Sequence, residues 1–140
     1  MKITKLILFI MIVGILACSN DDGNFNGCDD GVIISAQKFV NAPDDQLTIS
    51  NLKITENCLA ITFNASGCNG ESWSLKLIDA AEVLESAPPQ RNVRLSLKNE
   101  ELCDAIITKT LSFDLTKLQL EGNEVILRIA NNSSQISYTY

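Results

Sequence analysis

The chain has 140 residues, with 11 Lys and Arg against 17 Asp and Glu, a formal charge of −6, and no histidine. That balance excludes nucleic acid as a partner, because phosphate backbones need a basic footprint, and it disfavours electrostatic attraction to anionic lipid. Without histidine there is neither a Ser-His nor a Cys-His catalytic arrangement.

The chain opens with Lys2 and Lys5, an apolar run from Leu6 to Leu16, and the small residue Ala17, the three parts of a secretory signal. The run is too short to cross a hydrocarbon core of about 30 Å as a helix. The sequence ILAC at Ile15 to Cys18 resembles the bacterial lipobox, whose cysteine is acylated and becomes the first residue of the mature protein. The resemblance implies lipidation of Cys18 by three acyl chains such as palmitate, and so a lasting membrane attachment, since one chain holds a protein only marginally. Ser19 resembles the following residue of lipoproteins passed to an outer membrane. Asp21 and Asp22 resemble the export signal of surface-exposed lipoproteins in Bacteroidota. The expected location is therefore the outer membrane, lipid-anchored, at the cell surface or otherwise facing the periplasm. Removal of the signal peptide, residues 1–17, leaves 123 residues, and the loss of Lys2 and Lys5 takes the charge from −6 to −8.

Residues 18–31 read as a lipidated flexible tether, polar and rich in Gly, Asn and Asp. Within it Asp22, Asn24 and Asn26, followed by Gly27, fit the first half of a calcium-loop pattern, and Asp30 falls at the ninth position. The twelfth position, where a bidentate Glu belongs, is Ile33. The stretch is read as a tether with no metal.

Beside Cys18 the chain holds Cys28, Cys58, Cys68 and Cys103, an even number that reads as two disulfides in an exported protein. Cys58 and Cys68 bracket one alternating run, which as a strand holds them roughly 30 Å apart, beyond the ~7 Å that a disulfide tolerates. Of the two pairings left, Cys28–Cys58 with Cys68–Cys103 is favoured. Zinc is not indicated, because CxxC spacing and histidine are both absent.

Residues 32–140 form one expected domain. Period-two alternation places Leu59, Ile61, Phe63 and Ala65 on one strand face, and Trp73, Leu75 and Leu77 together on another. Val93, Leu95 and Leu97 point inward, with Asn92, Arg94, Ser96 and Lys98 outward. Val125, Leu127 and Ile129 follow, and Ile136, Tyr138 and Tyr140 end the chain. The segment QLTISNLKIT changes phase near Ser50–Asn51, as a β-bulge does. In ITKTLSF, Lys109 shares a face with Ile107, Leu111 and Phe113, so it snorkels at an edge or marks a bend. Residues 79–86 and 99–105 each suit a helical turn. Seven to eight short strands without a long amphipathic helix indicate an all-β fold: an antiparallel, immunoglobulin-like β-sandwich, with a small β-barrel as runner-up.

The carboxylate pairs Glu82/Glu85, Glu100/Glu101 and Asp44/Asp45 lie in polar connections and read as solvated charges rather than acid–base pairs. Trp73 and the two terminal tyrosines read as core. No catalytic residue and no cofactor is expected.

The segments SGCNGESWSLKLID, PPQRNVRLSLKNEELC and LSFDLTKLQLEGNEVILRI resemble small uncharacterised lipoproteins of Bacteroidota, over residues 59–140 or so. The resemblance supports a Cys68–Cys103 bond and implies no activity. The expected function is a non-catalytic binding module, tethered by its N-terminal lipid and contacting an envelope protein or glycan. The alternative is an assembly component that pairs through an edge strand such as Gln135 to Tyr140.

Overall fold

A computed structural model describes residues 26–140; the leader, Cys18, Asp22 and Asn24 lie outside the described residues. The elements run β1 (Asp30–Ile34), α1 (Ala36–Asn41), β2 (Thr48–Thr55), β3 (Cys58–Gly67), β4 (Ser74–Leu84), β5 (Gln90–Lys98), β6 (Ala105–Asp114), a 3-10 turn (Thr116–Leu118), β7 (Glu124–Ile129) and β8 (Ser134–Thr139). The eight strands form one sheet in the order β2-β3-β6-β1-β4-β5-β7-β8, curled nearly into a barrel. The all-β class holds, and of the two architectures considered the small barrel describes it.

The expected antiparallel pairing is only part of the pattern. β1 runs parallel to both of its neighbours, and β5 runs parallel to β7. β1 divides its length: Asp30 and Gly31 pair with Phe113 and Asp114 of β6, and Val32 to Ile34 pair with Leu77 to Asp79 of β4. Strand direction leaves no trace in an in–out alternation, which is the same read either way.

Folding begins upstream of the Val32 boundary. Cys28 is bonded to Cys58. The backbone N–H of Asp29 donates to the Ser112 carbonyl at 3.1 Å, and the Asp29 carboxylate accepts from the Ser112 N–H at 2.8 Å. Two members of the calcium pattern are likewise engaged elsewhere. Asp30 accepts from Lys76 Nζ at 2.7 Å, and the Asn26 amide donates to Asp114 at 2.9 Å.

The inward residues are those that the alternation marks. Leu59, Ile61, Phe63, Leu77, Val93, Leu97, Val125, Leu127 and Ile129 are buried in one core with Phe113, Leu115 and Leu118. The β2–β3 hairpin turns through Glu56, at φ +54°, and β2 breaks register between Ile49 and Asn51, the bulge anticipated near Ser50. The end strands β2 and β8 are not neighbours in the ladder. Side chains bridge their ends instead. The buried Tyr138 of β8 donates its hydroxyl to Asn57 Oδ1 in the hairpin turn at 2.6 Å and accepts from Gln119 Nε2 at 2.8 Å. Burial pushes the Tyr138 phenol above its ordinary value, and the nearby Asp114 and Tyr140 add to the rise against the Gln119 hydrogen bond.

The outer face of β4 and β5 is covered by α1. Arg94 and Ser96 point away from the core, as the alternation indicates, yet both are buried. Arg94 donates to the carbonyls of Phe39, Pro43 and Ala42 at 2.9, 3.2 and 3.1 Å, binding the C-terminal end of α1 where carbonyls lack helical partners. Ser35 caps the other end, accepting from the Lys38 N–H.

Residues 79–86 are not a helical turn. β4 continues to Leu84 with a register break between Asp79 and Val83, and Ala81 stands at φ +59°. The cause is Asp79, fully buried and held bidentately by Arg91 at 3.0 and 2.9 Å, while its Oδ1 also accepts from the Ala81 N–H. Removing one partner of such a pair strands a buried charge, at a cost of about 3–5 kcal/mol. Arg91→Met is therefore expected to lower unfolding free energy by that amount in urea titration. The double variant Asp79→Asn/Arg91→Met, which removes the charge and keeps the acceptor for Ala81, is expected to lose less.

Candidate functional site

The second disulfide, Cys68–Cys103, ties the turn after β3 to the loop before β6, with 35 residues between its cysteines. Residues 99–104 form an irregular connection rather than a helical turn. Its alternate residues are fastened. Asn99 donates to the Ser66 carbonyl at 2.7 Å and its N–H donates to Asp45 at 2.6 Å. Glu101 reaches into the Cys68 turn, and Cys103 is in the disulfide.

Glu101 is the electrostatic centre of this end of the fold. Its Oε2 accepts from the backbone N–H groups of Cys68, Asn69 and Gly70 at 2.6, 3.2 and 3.0 Å, and its Oε1 accepts from the Ser72 hydroxyl at 3.0 Å. Successive N–H groups converging in a turn make an anion-binding concavity, and here the anion is a side chain of the same chain. Desolvation in the turn acts to raise the Glu101 pKa. It is outweighed by the hydrogen bonds from Gly70, Cys68, Ser72 and Asn69, which bring it from 4.5 down to about 2. The reading of Glu100/Glu101 as solvated charges is thus corrected for Glu101, because the turn supplies donors that need a carboxylate.

The turn is tight on its other side as well. A Cβ at Gly67 would fall 2.5 Å from the Glu101 carboxylate and 2.7 Å from the Trp73 ring, and Gly70 sits at φ +68°. Trp73 is buried against Phe63, with 6.1 Å between ring centroids. Lys109 resolves its odd position by snorkelling: its ammonium lies 5.5 Å from the Trp73 ring centroid and donates to the Gly70 carbonyl.

Between this loop, the start of β2 and the end of β3 lies a groove of about 430 Å³. Its lining includes Asp45, Leu47, Asn64, Glu101, Leu102, Asp104 and Ile106, and contains no Lys or Arg among the described residues. Leu102 is 96% exposed and Ile106 is 70% exposed, the highest and third highest of the exposed large apolar side chains. A second groove of about 380 Å³ adjoins it across Asp45, Gln46 and Leu47, with Asp44, Arg94 and Asn131 on its far side. Asn131 serves the fold there. Its amide makes both strand-like hydrogen bonds to Leu95, at 2.8 and 3.0 Å, where β7 has ended. Asp44 pairs with Arg94 at 3.3 Å.

Of the residues marked from the sequence, the structure brings Cys68, Cys103 and Glu101 together here, with Asp45 beside them. Glu82 and Glu85 lie far along the chain in the exposed end of β4 and the loop after it, outside this groove. Among the described residues no group of three or more Cys, Asp or Glu is placed to hold a metal ion.

No protein-family model matches the chain, and no curated protein is significantly similar to it. Solved structures do share the fold. A protein of unknown function, DUF1344, from Bacteroides vulgatus superposes with a TM-score of 0.53 at 13% identity, over 79% of this chain and 56% of that one. A NigD-like immunity protein from Bacteroides caccae gives 0.58 at 12% identity, over 77% and 57%. A putative toxin related protein from Parabacteroides distasonis gives 0.51 at 17%, over 79% and 59%. The chain spans less than three-fifths of the length of each. At these identities the likeness is one of fold.

The lowered Glu101 value has a pH consequence. Its contribution to stability is fully present above the ordinary value of 4.5 and disappears as pH falls through about 2. Glu101→Gln is expected to lower the urea midpoint at pH 7 and to flatten the decline of stability between about pH 5 and pH 2, checked by urea titrations across that range.

Proposed function

We propose that this chain is a non-catalytic binding module, anchored to the outer membrane by acyl chains on Cys18, with its contact surface at the Cys68–Cys103 end of the sheet. The observation that carries the reading is the exposure of Leu102 and Ile106 on a rim whose neighbouring residues are fixed. A loop that is pinned at Asn99, Glu101 and Cys103 gains nothing in folding by holding a leucine fully in water, whereas large apolar side chains beside a groove suit contact with a partner. The lipobox supports the anchor, and Ser19 with Asp21 and Asp22 supports the outer membrane and its surface. The lack of histidine supports a binding rather than a hydrolytic role. An immunity role of the kind named for the Bacteroides caccae neighbour would be one form of such binding.

A second reading has its own observation. Among the described residues β8 pairs only with β7, and its sequence SQISYT lacks the Lys, Pro and bulge that usually guard an edge strand. An edge of this kind can add a strand from another chain, as an envelope assembly component does.

Two measurements test these readings. Cys18→Ala is expected to move the protein from the membrane fraction to the soluble fraction, and continued membrane association refutes the anchor. A photoreactive benzoylphenylalanine placed at Leu102 is expected to cross-link a partner on intact cells, while the same group at Ser137 does not; the reverse result favours assembly through β8.

A further inference from the structure

We propose that the groove beside Leu102 takes a protein segment that carries both aliphatic and cationic side chains. The inference rests on the binding reading above and names the chemistry of the partner. Its basis is the way residues 99–104 are displayed. Asn99, Glu101 and Cys103 are fixed in place by their hydrogen bonds and disulfide. Leu102 and Asp104, beside these anchors, are exposed and line the groove, with Ile106 exposed two residues further on.

The charge of the partner follows from the groove. Asp45, Glu101 and Asp104 contribute carboxylates to its lining, and none of the lining residues carries a positive charge. The Glu101 carboxylate keeps its charge throughout the physiological range and has its lone pairs engaged by the Cys68 turn, so it acts as a fixed negative background. Two cations lie nearby without lining the groove: Lys109 is held against the Gly70 carbonyl and the Trp73 ring, and Lys98 is 3.4 Å from Glu100 in a pair whose two side chains are 55% and 78% exposed, which water and salt weaken. Ile106 continues the apolar row along the groove, and the whole chain is acidic, at −6. A segment with leucine-like residues flanked by Lys or Arg satisfies both features. An acidic segment fails on charge, and a purely polar one leaves Leu102 and Ile106 uncovered.

The test uses the full-length Cys18→Ala protein, free of lipid, and two synthetic pentapeptides with blocked ends. One alternates lysine and leucine, and the other alternates glutamate and leucine. The lysine peptide is expected to bind in calorimetry with affinity that falls as salt rises, and the glutamate peptide is not. Leu102→Ser and Asp104→Asn, both at exposed positions, are each expected to weaken binding about tenfold. Val40→Ser, at an exposed position on α1, leaves it unchanged. Equal binding of the two peptides, no binding of the lysine peptide, or unchanged affinity in Leu102→Ser overturns the assignment. If cross-linking at Leu102 still captures a partner on cells in those cases, the binding reading stands and only the partner's chemistry is wrong; if capture fails too, both fall.

Discussion

The sheet is continuous only because of β1. Without its five residues, β2-β3-β6 and β4-β5-β7-β8 would be two separate ladders facing one core. β1 spends two residues on the first group and three on the second. A strand this short cannot hold such a position by ladder hydrogen bonds alone. Three further constraints fix it: the Cys28–Cys58 bond just upstream, the Asp29–Ser112 hydrogen bonds, and the Asp30–Lys76 ion pair toward β4. The disulfide closes 30 residues, for which the chain-entropy account gives a stabilisation of about 3–4 kcal/mol.

The opposite end of the molecule uses the same economy of cross-links for display. Turn, disulfide and carboxylate converge on Glu101, and each satisfies a need of the others. The Cys68 turn has three N–H groups without a ladder partner, the loop before β6 has no regular structure to hold it, and the carboxylate meets both requirements at once. Gly67 and Gly70 allow the close approach of Glu101, Trp73 and Lys109. The groove is therefore walled by a part of the chain that is irregular in backbone and still well determined in position.

The alternation of apolar residues made the inward faces of β3, β5 and β7 legible, and the phase change in β2 located its bulge. The same alternation is silent on direction, so the parallel pairing of β1 and of β5 with β7 was hidden. Arg94 and Ser96 were read correctly as outward. Their burial was not readable, because the cover is a six-residue helix too short to carry an amphipathic period. Asp79 disguised itself at the head of an apparent helical segment, and its demand for Arg91 is a long-range pairing that local pattern does not encode. Glu101 was within reach. Once Cys68 is joined to Cys103, an acid two residues away stands beside a glycine-rich turn with open N–H groups, and that turn needs an anion.

The Cys28–Cys58 bond also sets how the fold bears load. Tension arriving along the residues that precede Cys28 does not meet β1 as the first thing to give. It splits at the sulfur atoms, and part passes directly into β3 beside the β2–β3 hairpin. β3 is ten residues long and paired along its whole length with β6, so the load that it takes is spread over a long ladder. The covalent link thus keeps the five-residue β1 from carrying the whole of a pull that arrives through Cys28.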